Sequence, residues 1–128
     1  MIIYIAGPMS GLPDSNYPAF HAAAAALRAA GHTVLNPAEN PPPPKGHPNP
    51  WQYYMRLSVK QIADADAVVM LRGWEDSNGA DIEHALAENL NLLRYFQVPH
   101  SGFESGWIWL QSDLHNMLRA ECPKPWLR

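Results

Sequence analysis

Glu83 and Asp81 are the residues whose type and position most readily suggest chemistry. Both fall early in an amphipathic segment that follows Arg72-Gly73-Trp74-Glu75-Asp76-Ser77-Asn78-Gly79, a polar turn with two glycines. A strand, a turn of small residues and a helix start together make an anion site, because the first helical N–H groups lack intrahelical partners and the dipole favours negative charge there. A glutamate one turn further in can attack an anomeric carbon or stabilise an oxocarbenium-like transition state. The same glutamate can equally be a solvated carboxylate favoured by the helix dipole. Asp81 lies two residues away and faces elsewhere, so the two are not an automatic acid/base pair.

The other candidates surround this turn. Ser77, Asn78 and the Gly79 amide can hold a phosphate, or Ser77 or Asn78 can simply cap the helix. Gly7-Pro8-Met9-Ser10-Gly11 forms a second small-residue loop, with Ser10 offering a hydroxyl. It lacks both the dinucleotide fingerprint and the Lys-Ser/Thr ending of a triphosphate loop. Tyr4 can hydrogen-bond a carboxylate or a sugar hydroxyl, or be an interior aromatic. Trp74 can stack on a base, while Trp51 and Tyr53 read as packing around a proline-rich loop. His21, His32, His47, His84, His100 and His115 show no metal-ligand spacing, and no metal or cofactor is expected.

These residues need a scaffold. Ile2–Ala6 and Ala67–Leu71 are charge-free apolar runs, the pattern of central parallel strands covered on both faces. His32–Leu35 and Leu92–Val98 read as two further strands, the latter weakened by Arg94. Helices are expected over Tyr17–Ala30, with Phe20, Ala23, Ala24 and Leu27 inward, over Trp51–Ala63, with a Met55, Val59, Ile62 stripe, and over Ala80–Leu90, with Ile82, Leu86 and Leu90 stacked. Pro41-Pro42-Pro43-Pro44 between them favours an extended loop. Strands alternating with helices predict a three-layer α/β domain of the flavodoxin/Rossmann kind, with a parallel sheet of four or five strands. In such a sheet ligands bind at the carboxyl ends of the strands, where both glycine loops meet. Residues 1–98 are read as this domain. Residues 99–128 are read as a helical extension, with Phe103, Trp107, Leu110, Leu114 and Met117 at helical spacing, packing on the domain or on a neighbouring subunit.

Composition narrows the partners. The chain has 128 residues, a net charge of −3 and nine Lys and Arg without a cluster, so a nucleic-acid surface is not expected. One cysteine, Cys122, excludes an internal disulfide. Met1–Ile5 is too short to span a membrane or to act as a signal peptide. A cytoplasmic protein with a small-molecule partner is the expectation.

Tyr4-Ile5-Ala6-Gly7-Pro8-Met9-Ser10-Gly11, Asn16-x-Pro18-x-Phe20, Asn36-Pro37-Ala38-Glu39, Ala65-Asp66-Ala67, Leu71-x-Gly73-Trp74-x-x-Ser77-x-Gly79-Ala80 and Glu83-x-x-x-Ala87 together resemble the DUF4406 family, common in phage and prophage genomes. That family is similar to the nucleoside 2-deoxyribosyltransferases and the nucleoside 5′-monophosphate N-glycosidases. The resemblance covers roughly residues 1–98. It implies a flavodoxin-like sheet, a homodimer or larger assembly, and cleavage of a nucleoside or nucleotide N-glycosidic bond. It also implies Glu83 as nucleophile with Tyr4 near the sugar, Ser77 and Gly79 at a 5′-phosphate, and Gly7 and Ser10 around the sugar and phosphate; Met9, Gly11, Asn16, Trp74 and Asn78 are the further substrate-binding candidates. One position departs: where the enzymes usually carry an aspartate in the helix before the third strand, this chain has Ser58. A serine cannot protonate a leaving base near neutral pH. Asp14, Asp76 or a neighbouring subunit are the substitutes to look for. The alternative function is a nucleotide-binding or sensing protein that keeps the pocket without the reaction.

Overall fold

The structure is a computed structural model that describes residues 1–99 and 107–111. The chain runs β1 (Ile2–Ala6), α1 (Tyr17–Ala29), β2 (Thr33–Leu35), α2 (Pro50–Asp64), β3 (Ala67–Met70), α3 (Asn78–Asn89), β4 (Leu93–Pro99) and β5 (Trp107–Gln111). The sheet order is β2-β1-β3-β4-β5. The first four strands are parallel, with Tyr4 opposite Leu35 on one side and Val68 on the other. Helix α1 covers one face and α2 and α3 the other, giving the expected three layers.

Side-chain alternation along the strands divides the interior. Ile3, Ile5, Ala67, Val69 and Leu71 face α1, where they meet Phe20, Ala23, Ala24 and Leu27. Tyr4, Ala6, Val68 and Met70 face α2 and α3, where they meet Ile62, Ala80 and Ala87. Burial on both faces is why β1 and β3 carry no charge. Asp66 ties the two central strands at their starts, its Oδ2 accepting from the Ile2 amide at 2.8 Å.

Two helices turn inward differently from their apolar patterns. In α2 the buried residues are Ser58 and Ile62, while Val59 is exposed. In α3 they are Ala80, Glu83 and Ala87, while Ile82 and Leu90 are exposed. Alanines let α3 approach the sheet closely, and the inward stripe they define includes a carboxylate.

The extension is also corrected in part. Residues 107–111 form a strand rather than a helix, antiparallel to β4 with Phe96 opposite Leu110. The run Trp107-Ile108-Trp109-Leu110 is aromatic and β-branched, which suits a strand, and it finds an unpaired edge in β4. Phe103, Leu114 and Met117 lie outside the described residues. No described helix is long and apolar enough to cross a membrane.

Candidate functional site

The order β2-β1-β3 places the direction change of the chain between β1 and β3, and a cavity of about 640 Å³ opens at the carboxyl ends of these strands. Gly7 leaves β1 beside Leu71. A Cβ at Gly7 would stand 2.8 Å from the Leu71 Cβ, so only glycine lets the two strand ends close up here. The first loop then turns through Asp14, Ser15 and Asn16, all at positive φ. Asn16 latches it by donating from Nδ2 to the Pro8 carbonyl at 2.9 Å. The second loop leaves β3 through Gly73 (φ 86) and enters α3, where Ser77 Oγ accepts from the Ala80 amide at 3.2 Å. Ser77 is therefore the cap of α3, and its hydroxyl proton remains available to a ligand.

Glu83 lies on the floor of the cavity, 6% exposed. Its Oε2 accepts a 2.6 Å hydrogen bond from the Tyr4 hydroxyl, which also lies 2.7 Å from Ser58 Oγ. The phenol has one proton for two neighbours. With Glu83 ionised, that proton goes to the carboxylate, and the single Ser58 proton is left to donate either to the phenolic oxygen or to Glu83 itself. Burial raises the Glu83 pKa to about 7, opposed by the Tyr4 and Ser58 hydroxyls, which favour the carboxylate. Burial and the neighbouring carboxyl push the Tyr4 phenol well above its usual value, so Tyr4 stays a neutral donor. A buried carboxyl that gains or loses its proton near neutrality is a common property of reacting groups.

The other flank of α3 is held to β4. Arg94, buried on β4, places Nη1 3.2 Å from both His84 Nε2 and Glu88 Oε2. Because arginine only donates, His84 accepts at Nε2 and is neutral. Its pKa is lowered by burial first and then by the charge of Arg94. These contacts, with the Ser77 cap, fix the rotation of α3 that turns Glu83 inward.

The structure brings Tyr4, Gly7, Met9, Ser10, Ser77, Asn78, Gly79 and Glu83 to one cavity. Gly11, Asn16 and Trp74 lie outside its lining. Asn16 is engaged with Pro8 in the loop framework. The Trp74 ring packs 4.5 Å from His84 and 6.0 Å from Phe96, turned away from the cleft by this aromatic cluster. Of the proposed substitutes for the acid at Ser58, Asp76 lines the cavity and Asp14 does not. Sequence reasoning missed the wall formed by Tyr17, Phe20, Trp51, Tyr54 and Met55, together with Arg72. The signal for Trp51 and Met55 is their spacing of four within α2, which puts them on one helix face: both overhang Gly79, where a Cβ would lie 3.4 Å from Met55 Sδ and 3.8 Å from Trp51 Nε1. Among the described residues, no three His, Cys, Asp or Glu side chains gather as metal ligands.

Residues 1–95 match the family described as "Domain of unknown function (DUF4406)". The chain belongs to the DUF4406 family. No curated protein sequence matches this DUF4406 chain. Among solved structures, it is similar to a 2-deoxyribosyltransferase from the psychrotolerant bacterium Bacillus psychrosaccharolyticus, with a TM-score of 0.62 and 23% identity over 75% of this chain and 71% of that one. It is also similar to a 2-deoxyribosyltransferase from Leishmania mexicana, with a TM-score of 0.55 and 20% identity over 93% of this chain and 85% of the other. What this DUF4406 chain shares with both is the fold.

Proposed function

We propose that the protein cleaves the N-glycosidic bond of a small nucleoside or nucleotide, by hydrolysis in preference to transfer. The observation that carries this reading is the buried Glu83 carboxyl, held by Tyr4 and facing the cavity that the Ser77–Gly79 turn also enters. In this reading the turn binds a phosphate through the Ser77 hydroxyl and the first amides of α3, Ser10 adds a hydroxyl, and Glu83 attacks C1′. Tyr4 keeps the carboxylate oriented and ionised. A cavity of about 640 Å³ accommodates a nucleotide. Such substrates are intracellular, and a cytoplasmic location goes with the reading. Exposed Val59, Ile82 and Leu90 on α2 and α3 support self-association, for which light scattering is the measurement.

The test is chromatographic detection of free base from a panel of nucleosides and their 5′-monophosphates, with ribose and deoxyribose. Glu83→Gln is expected to lower turnover on the order of 10³-fold or more while the far-ultraviolet circular dichroism is unchanged. Base release by the variant at the native rate would remove Glu83 from the reaction.

The second reading is a nucleotide-binding protein without turnover, and Ser58 is the observation that favours it. Tight nucleotide binding, with no base released by either native or Glu83→Gln protein, would establish it instead.

A further inference from the structure

We propose that the heterocycle released at this site carries a positive charge while attached to the sugar, as the ring of a pyridinium or an N-alkylated purine nucleotide does. The inference rests on the N-glycosidic reading and names its substrate class. Three features of the cavity lead to it.

A neutral nucleobase leaves readily only if a proton reaches its ring as the bond breaks. Ser58 cannot supply one near neutral pH, and its hydroxyl is already engaged with Tyr4. Among the described residues, no histidine or lysine lines the cavity, and the carboxyls there are Glu83 and Asp76. Asp76 is exposed and immediately precedes Ser77, so it belongs to the turn at the start of α3. A heterocycle that is already cationic needs no acid.

The walls suit such a ring. Trp51, Tyr54 and Tyr17 line the same cavity, and aromatic faces attract a planar cation, most strongly where water is excluded. The charge balance of the lining adds complementarity, because the carboxyls of Glu83 and Asp76 stand against the guanidinium of Arg72. Burial disfavours ionised Glu83, and a positive ring beside it reverses that preference, so the substrate ionises its own nucleophile on arrival.

The step balances without an external acid. A bond forms between a Glu83 carboxylate oxygen and C1′ as the C1′–N bond breaks. The bonding pair passes to the ring nitrogen, cancels its charge, and the heterocycle departs neutral. Water then opens the glycosyl ester, its hydroxyl remaining on C1′, its proton passing to solvent and Glu83 returning as a carboxylate.

Matched substrates that differ by one methyl group test the charge: GMP against 7-methyl-GMP, and dGMP against 7-methyl-dGMP, with nicotinamide mononucleotide as an unrelated cationic ring. Rates are taken relative to the uncatalysed loss of each base, because methylation alone speeds that loss. The expected result is an enzymatic rate enhancement at least about 10²-fold larger for the cationic member of each pair. The kcat profile should have its acidic limb at lower pH than the kcat/KM profile. Trp51→Leu and Tyr54→Leu should each weaken binding of the cationic member selectively, by about 2- to 30-fold. Binding to Glu83→Gln protein, followed by calorimetry, checks that selectivity independently of turnover.

Equal enhancement for charged and neutral partners overturns the charge inference and leaves the N-glycosidic reading standing. So does turnover of GMP or dGMP that disappears in Asp76→Asn, which would make Asp76 the missing acid. Absence of base release from every substrate overturns both.

Discussion

The two faces of the sheet are built from the same alternating strands to different ends. Towards α1 the interior is apolar, Ile3, Ile5 and Val69 packing on Phe20 and Leu27, except at its edge, where buried Asn36 meets His21. Towards α2 and α3 it includes Tyr4, Ser58, Glu83 and Arg94, all buried and all hydrogen-bonded. Adjacent residues of β1, Tyr4 and Ile5, belong to opposite faces. The difference teaches that one half of the molecule holds the fold while the other tolerates polar groups that packing alone would not select.

The comparison is broken most severely from the α1 side. Ile5→Ala removes a fully buried side chain and is expected to cost about 2–5 kcal/mol in urea-induced unfolding. Turnover per folded molecule should change little by comparison.

pH separates the faces next. Glu83 has a folded pKa of about 7 against an ordinary 4.5, so the folded state holds the proton more tightly than the unfolded one. The resulting stability is fully present below about pH 4.5, declines as pH rises, and is lost above about 7, a change of about 3 kcal/mol. Glu83→Gln should flatten this decline, measured by unfolding at pH 5, 6, 7 and 8. Persistence of the full slope in the variant would show that another group causes it.

Tyr4→Phe probes the buried network with smaller effect. It leaves Ser58 and Glu83 without their shared partner and should cost about 1–3 kcal/mol. Loss of a hydrogen bond to the ionised form moves the Glu83 pKa further upward, so the acidic limb of the pH–rate profile should shift to higher pH. An unmoved limb would disconnect Tyr4 from the ionisation. Weakest of all is the surface pair Arg28–Glu39, 2.8 Å apart and exposed on both sides. Arg28→Ala is expected to change stability by no more than about 1 kcal/mol, less in high salt.

The contrast between faces also explains what could be read from the sequence. The inward residues of α1 follow from spacing, because every buried residue of that helix is apolar. On α2 and α3 the same reasoning selects Ile62 and Leu86, which do pack inward, but also Val59, Ile82 and Leu90, which are exposed, since the inward stripe contains Ser58 and Glu83. Polarity conceals a helix face that carries a site. Trp74 and Trp51 show a related limit: both follow glycine- or proline-rich stretches, and only tertiary packing turns one onto His84 and the other over Gly79. Spacing in the tail was compatible with a helix, but the strand at 107–111 is decided by the open edge of β4, which no local pattern encodes. The recurring motifs divide similarly. Asp66 joins β1 to β3, and Asn36 accepts from the Ala38 amide at 3.0 Å, so these residues shape the chain without touching the cavity.

The approach of Gly7 to Leu71 joins the two halves. Leu71 belongs to the α1-side core, yet its Cβ sits where any side chain on Gly7 would have to go. It acts as a spacer that gauges how far the first loop stands from the second. Trimming it would let the loops settle together, and enlarging it would force them apart. The width of the cleft is thus set from behind the sheet, by a residue that no substrate reaches.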